Sequence, residues 1–236
     1  MSQLLLVRHA QASFLDGDYD RLSELGRRQS RTLGQRWAAL SQGFDRFVAG
    51  PRTRQRDTAL ECRGVLVAHG VAVPELEVLD GLDEYPAEEI LRGLAPELSA
   101  EHESFAELGR VFASDADRRT RGRAFDKMLQ RALYAWAEGR TVPGVESHTA
   151  FVERIEGALS ELTRGRQVRV AAFSSAGSIG ALLGVVLGTD ARKTLELGWM
   201  LENASVSEMA FSRGRVGVAR VNTIGHLPDP ATWTRR

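Results

Sequence analysis

Four short stretches of this chain carry side chains that could act together on a phosphate: Arg8-His9, Arg54, Glu84 and Ser174-Ser175. Two guanidinium groups offer planar forks of donors suited to phosphate oxygens. An imidazole among fixed cations is biased toward its neutral form, which is the nucleophilic one. A nearby carboxyl group can supply the proton for a departing alkoxide if its pKa is raised. The set fits phosphoryl transfer through a nitrogen nucleophile. The arginines would supply the positive charge, and no metal or other cofactor is called for.

These stretches lie far apart in sequence, so the fold has to collect them. Leu4 to Val7 is short and apolar on both faces, the pattern of a strand buried in a parallel sheet, and it ends in Arg8-His9. Ser23 stands at a helix N-cap position, with Leu25, Gln29, Leu33, Trp37 and Leu40 following at three- and four-residue steps. A second strand, Phe47-Val48-Ala49, stops at Gly50-Pro51; Thr58 to Val67 reads as a helix and Leu76 to Leu79 as a third strand. Ser147 caps a helix with the stripe Phe151, Val152, Ile155, Leu159 and Leu162. A fourth strand, Val168 to Phe173, leads through Ser174-Ser175-Ala176-Gly177 into an apolar helix, Ile179 to Leu187. Val206 to Phe211 and Val216 to Val221 flank a four-residue hairpin loop, Ser212 to Arg215. Strands alternating with helices predict an α/β fold, a three-layer αβα sandwich around a mainly parallel sheet. In such sheets ligands bind beyond the carboxyl ends of the strands, where all four stretches fall.

Between about residues 86 and 144 the chain is helical and charged, with Pro96 read as an interruption and the polar run Asp115 to Arg123 in its middle. Phe125, Met128, Leu129, Leu133 and Trp136 form a helical stripe. The segment has no strand signal and no Gly/Ser linker, so it is expected as an insertion in one domain spanning residues 1–236, packed over one end of the sheet. Its basic run, Asp117 to Arg123, reads as a solvated loop with an anionic substrate as its only candidate partner. The 236 residues suffice for a self-supporting core. Lys+Arg and Asp+Glu both number 31, which argues against nucleic-acid binding driven by bulk charge. Cys62 is the one cysteine, so there is no internal disulfide and no Cys-based zinc site. The N-terminal apolar run is too short for a signal peptide or a membrane span, and a cytoplasmic protein is expected.

Leu5-Leu6-Val7-Arg8-His9-Ala10-Gln11 resembles the arginine-histidine signature of the histidine phosphatase superfamily, the phosphoglycerate-mutase-like proteins. Leu22-Ser23-Glu24-Leu25-Gly26 with Gln29 is similar to the opening of that family's first helix. Gly50 to Ala59 resembles its second arginine motif, Leu82-Asp83-Glu84 the segment that supplies the acid, and Asn222 with His226-Leu227 its closing motif. The resemblance implies His9 as nucleophile, Glu84 as proton donor, and Arg8 and Arg54 as phosphate ligands. By position alone Arg52 and Arg56 rival Arg54; the motif register selects Arg54. Asp83, Glu88 and Glu89 surround Glu84, so a solvated acidic turn is its bland alternative.

Two departures from the family pattern stand out. Ala10 replaces the commoner glycine, an accepted variant. Ser175 stands where the motif carries a second catalytic histidine. A serine still donates to a phosphoryl oxygen but brings no charge, a difference of about 1 kcal/mol, or roughly tenfold in rate. His226 is a candidate to fill the gap. Gln11, Ser13 and Ser174 are further pocket candidates, although Gln11 and Ser13 could equally shape the turn. His69, His102 and His148 are expected at the surface.

The reading is a hydrolase for a small phosphorylated substrate, a phosphoprotein remaining open, with no nucleic-acid or membrane partner. A mutase is disfavoured because the family's mutases carry other residues where this chain has Ala12-Ser13-Phe14-Leu15 and Tyr85-Pro86-Ala87-Glu88. The alternative of another class is a non-catalytic phosphate sensor. The closing hairpin offers a sheet edge, so the oligomeric state is left open.

Overall fold

The computed structural model describes residues 1–13, 20–114, 116–166 and 168–235. Of the residues named from the sequence, Phe14, Leu15 and Asp115 lie outside these. The described residues form two compact units, one of residues 1–84 and 154–236 and the other Tyr85–Glu153.

The first unit is built on a six-stranded sheet of β1 (Ser2–Arg8), β2 (Arg46–Ala49), β3 (Leu76–Val78), β4 (Arg169–Ser174), β5 (Val206–Ser212) and β6 (Arg215–Thr223). Its order is β3-β2-β4-β1-β5-β6, with β1 to β4 parallel and β5-β6 an antiparallel hairpin added beside β1. The fold is the expected αβα sandwich. Central strands buried on both faces need continuous apolar runs, and Leu4, Leu6, Val7, Val48, Val170 and Ala172 are all fully buried. Leu5, Val7, Phe47, Ala49, Ala171 and Phe173 point to one face. There they meet Leu33 and Trp37 of α1 (Glu24–Ala39) and Ala59, Cys62 and Leu66 of α2 (Thr53–Ala68). Burial pushes the Cys62 thiol up, out of reach of neutral-pH chemistry.

Two further helices of this unit, α7 (Ala176–Leu187) and α8 (Ala191–Met200), cross at a point where neither has room for a side chain. A Cβ on Gly180 would lie 2.8 Å from the Gly198 Cα, and one on Gly198 would lie 2.7 Å from the Ala176 carbonyl oxygen. The helix over residues 191–200 is absent from the sequence-based expectation, because its apolar positions are few. Ser23 caps α1 as expected, its Oγ accepting from the Gly26 N–H at 3.0 Å. The hairpin turn is tighter than expected. Arg213 and Gly214 alone connect the strands, with φ of 50° and 76°, a two-residue turn whose twist matches the paired strands.

The second unit holds α3 (Ala87–Glu101), α4 (Glu103–Ala113) and α5 (Arg118–Ala137), and α6 (His148–Leu162) begins in it. Pro96 interrupts nothing: α3 runs through it, its stripe of Ile90, Leu91, Leu94 and Leu98 buried. The basic run is likewise not a loop, because Asp117 caps α5 by accepting from the Arg119 and Thr120 N–H groups. Ser147 caps α6 through the Ala150 N–H. Tyr85, Trp136 and Phe151 pack with ring centroids 5.5–5.6 Å apart. His148 is not at the surface as expected; it stands edge-on against Trp136 and is half-buried. His69 and His102 are exposed. Among the described residues no helix is long and apolar enough to cross a membrane.

The glycine crossing generates a prediction. G198A must push α8 from α7, an overpacking cost of about 1–3 kcal/mol. The melting temperature should fall by about 2–10 °C, read by circular dichroism; an unchanged melting curve would mean the crossing is loose.

Candidate active site

Parallel pairing of β1 with β4 and of β4 with β2 sets three carboxyl ends side by side. Arg8 is in register with Ser174, and Ala49 with Phe173. The chain leaves each end under backbone control, the His9 N–H donating to Ser174 O at 2.8 Å and the Gly50 N–H to Phe173 O at 2.9 Å. Beyond Gly50, α2 starts at Thr53, five residues earlier than the hydrophobic pattern suggests, and so Arg54 projects from its first turn.

His9 is 4% exposed and has a defined tautomer. Its Nδ1 lies 2.8 Å from the Ala10 carbonyl oxygen, which only accepts, so Nδ1 carries the proton and Nε2 keeps its lone pair. Arg54 Nε donates to that Nε2 at 3.3 Å. Burial, then the charges of Arg54 and Arg8, hold the ring's pKa well below 6.5, so it is neutral at physiological pH. The same guanidinium reaches Ser175 Oγ through Nη2 at 3.5 Å and Asp20 Oδ1 through Nη1 at 2.8 Å. Arg54 is thus the arginine of the three that faces His9. Arg56 is exposed, and Arg52 turns to Asp83 Oδ1 and the Glu84 carbonyl oxygen.

Glu84 approaches along another path. Leu82-Asp83-Glu84 is a turn bound through its carbonyls. Ser174 Oγ donates to Leu82 O, Ser178 Oγ to Asp83 O, and Arg154 Nη1 to Asp83 O. The Glu84 side chain then accepts from the Gly177 N–H at 2.9 Å through Oε2, in the first turn of α7. Ser175 is the N-cap residue of the same helix. His9, Arg54, Ser175 and Glu84 are therefore connected through β1, α2 and the α7 N-terminus.

The other candidates have different places. Arg8 sends Nη1 to Leu201 O and Nη2 to Arg235 O, so its fork is engaged by backbone while its charge bears on His9. Gln11 accepts from Ser23 Oγ at 2.8 Å and the Ser13 N–H donates to Arg21 O, bonds that build the turn into α1. Ser174 is fully buried against Leu82. His226 is buried too, but the charge acting on it is that of Arg36, in the last turn of α1.

Three site residues are missing from the sequence-based expectation. Asp20 bridges Arg54 and the Thr53 N–H, which donates to Oδ2 at 2.8 Å. Burial raises its pKa, but the Thr53 N–H and the Arg54 charge outweigh that and leave it lowered. Thr58 Oγ1 accepts from the Ala10 N–H and donates to Arg54 O, tying the loop after His9 to α2. Asn203 Nδ2 donates to His9 O at 3.2 Å. Thr58, four residues beyond Arg54, was the one within reach of helical spacing. A groove of about 530 Å³ elsewhere, between α1 and α2, is lined by Arg27, Arg31 and Glu61, already paired with one another.

The family model described as Histidine phosphatase superfamily (branch 1) matches residues 4–141 and 119–224. Among solved structures, the chain is similar to a mutant phosphoserine phosphatase from Entamoeba histolytica in complex with phosphoserine. The TM-score is 0.62 at 16% identity over 96% of this chain and 100% of that one. It is similar also to a mycobacterial glucosyl-3-phosphoglycerate phosphatase in complex with inorganic phosphate, with a TM-score of 0.61 at 21% identity over 95% and 99% of the two chains. At such identities the likeness is one of fold. No curated protein matches this chain in sequence.

The buried histidines make stability depend on pH. Burial and Arg36 lower the His226 pKa to about 4, whereas the unfolded chain takes up that proton near pH 6.5. Unfolded chain binds more protons in between, so stability falls as pH drops from 6.5 toward 4, by about 2 kcal/mol at pH 5 for this group alone. Urea unfolding at pH 7 and pH 5 should show H226Q losing less stability on acidification than the parent; equal losses would count against a buried neutral ring.

Proposed function

The chain belongs to the histidine phosphatase superfamily, branch 1, and on that premise we propose that it hydrolyses phosphomonoesters through a phosphohistidine formed on His9. The observation that carries the reading is the Arg54 guanidinium, set against His9 Nε2 and Ser175 Oγ at once, with the opposite imidazole nitrogen pinned by Ala10 O. A phosphoryl group lying between Arg54 and Ser175 would present its phosphorus to the Nε2 lone pair.

In the first step the Nε2 lone pair forms the N–P bond as the bond from phosphorus to the ester oxygen breaks. Glu84, as the carboxylic acid, gives its proton to the leaving oxygen. In the second step Glu84, now a carboxylate, takes a proton from water as that water attacks phosphorus. The N–P bond breaks back to neutral His9 and inorganic phosphate leaves. Arg54 and Ser175 donate to the equatorial oxygens, and the Arg8 charge adds to the field, so that positioning and fixed positive charge carry the catalysis. The Gly177 N–H keeps Glu84 oriented throughout.

A second reading, a non-catalytic phosphate sensor, is favoured by one observation: the residue at the second-histidine position is an uncharged hydroxyl. The two readings separate on His9. With an aryl phosphate substrate, H9A should lower kcat by at least about a thousandfold, and rapid quench at alkaline pH with ³²P-labelled substrate should trap label on His9. Phosphate binding with no His9-dependent turnover of any substrate would establish the sensor instead.

Asp20 gives a second expectation. Its carboxylate already occupies Arg54 Nη1, and an incoming phosphate must share that guanidinium with a like charge. D20N keeps an acceptor for the Thr53 N–H and removes the charge. Product inhibition by orthophosphate should tighten by about two- to tenfold; weaker inhibition would mean that Asp20 serves chiefly to orient Arg54.

A further inference from the structure

The Ser175 hydroxyl has a direction, and a neighbouring side chain sets it. Ser175 is 1% exposed, and its Oγ has two partners, Gln55 Nε2 at 2.8 Å and Arg54 Nη2 at 3.5 Å. An amide NH₂ and a guanidinium can only donate, so both aim protons at the lone pairs of this oxygen. The hydroxyl proton can go to neither. Nor does the hydroxyl cap α7, although Ser175 is the N-cap residue. Among the described residues no acceptor takes that proton, which leaves it for an oxygen brought in by a ligand.

The orientation of Gln55 is itself determined. Its Oε1 accepts from the Arg52 backbone N–H at 3.1 Å, and its Nε2 lies 3.5 Å from Leu82 O. Turning the amide over would set oxygen against a carbonyl and NH₂ against an N–H, so the NH₂ end must face Ser175. Gln55 is fully buried, and the site leaves room for it: a Cβ on Gly50 would lie 2.2 Å from the Gln55 Oε1.

We propose that Gln55 is a positioning residue that commits the Ser175 hydroxyl to donate to a phosphoryl oxygen held by Arg54. The proposal rests on the phosphatase reading for what fills the site. It makes Gln55 and Ser175 one unit: the amide fills a lone pair of the oxygen, and the hydroxyl presents its proton already oriented. A second histidine would bring charge; this pair brings direction, favouring a ligand rich in acceptors at that spot, as a phosphoryl group is.

A double-mutant cycle tests the coupling. Q55M removes the donor, S175A removes the hydroxyl, and each variant is compared with the double variant in aryl phosphate hydrolysis and in calorimetric titration with orthophosphate. In the parent background Q55M should lower kcat and weaken orthophosphate binding by about three- to tenfold, the scale of one neutral hydrogen bond. In the S175A background the same substitution should change either quantity less than about twofold. Equal losses in both backgrounds, or no loss in either, would overturn the proposal, since a merely structural glutamine would act regardless of the hydroxyl. If Q55M does not fold, Q55L is read in the same cycle: it too removes the donor and adds no charge, so its loss must likewise vanish in the S175A background. Orthophosphate binding separates this from the phosphatase reading: absence of His9-dependent turnover would defeat that reading, whereas the calorimetric cycle passes or fails by itself.

Discussion

A buried guanidinium 3.3 Å from a neutral imidazole nitrogen is the contact around which the first unit is organised. Arg54 projects from the first turn of α2, where the helix dipole already presents positive charge, so the placement costs stability. It is tolerated because each nitrogen of the fork has a partner: His9 Nε2, Ser175 Oγ and Asp20 Oδ1. Asp20 offsets two liabilities together, the arginine charge and the exposed N–H of Thr53 at the start of the helix. A phosphate would offer the same compensation with more charge and more acceptors.

Keeping the imidazole still requires support from several elements. His9 O accepts from the Asn203 side chain and the Ala204 N–H, while the Ala10 N–H donates to Thr58 on α2. The last residues of the chain reach this same region. Thr234 Oγ1 donates to Asn203 Oδ1, Gln29 Nε2 donates to Thr232 O, and Arg8 Nη2 donates to Arg235 O. Arg8 therefore does two things at once. It fastens the C-terminal residues to Leu201 O, just past α8, and it keeps a second positive charge that disfavours protonation of the His9 ring.

Much of this is legible in the sequence because strand ends are. Short runs apolar on both faces and bounded by turn signals read as central strands, and the residues just past them then lie at the carboxyl edge of the sheet. That rule alone brings Arg8-His9, Ser174-Ser175 and the Gly50-Pro51 turn together. Choosing Arg54 over Arg52 and Arg56 requires the family's motif register, because three arginines at alternate positions look alike until the helix start is known. Asp20 and Asn203 are not legible: each acts through a hydrogen bond to a residue far away in sequence, and an isolated polar residue in a loop has no period to betray it. A motif suggests His226, and its surroundings are set by burial and by the charge of Arg36, in the last turn of α1. Pro96 misleads because a burial stripe of four residues outweighs one lost backbone hydrogen bond.

The consequence of an uncharged residue at position 175 depends on how the remaining groups are held. Ser175 is the N-cap residue of α7, Gly177 two residues later binds the Glu84 carboxylate, and Ser178 one residue beyond that binds the backbone of the acid's own turn. One helix end therefore sets the spacing between Ser175 and the Glu84 carboxylate. The glycine crossing with α8 fixes that end by bringing Gly198 against Ala176. Rate enhancement in phosphoryl transfer comes chiefly from groups held in place before the reaction begins, because reorienting dipoles during the reaction is what costs free energy. On the proposed mechanism an uncharged residue at position 175 forgoes one charge–charge attraction, whereas loss of the helix end would displace Glu84 and Ser175 together.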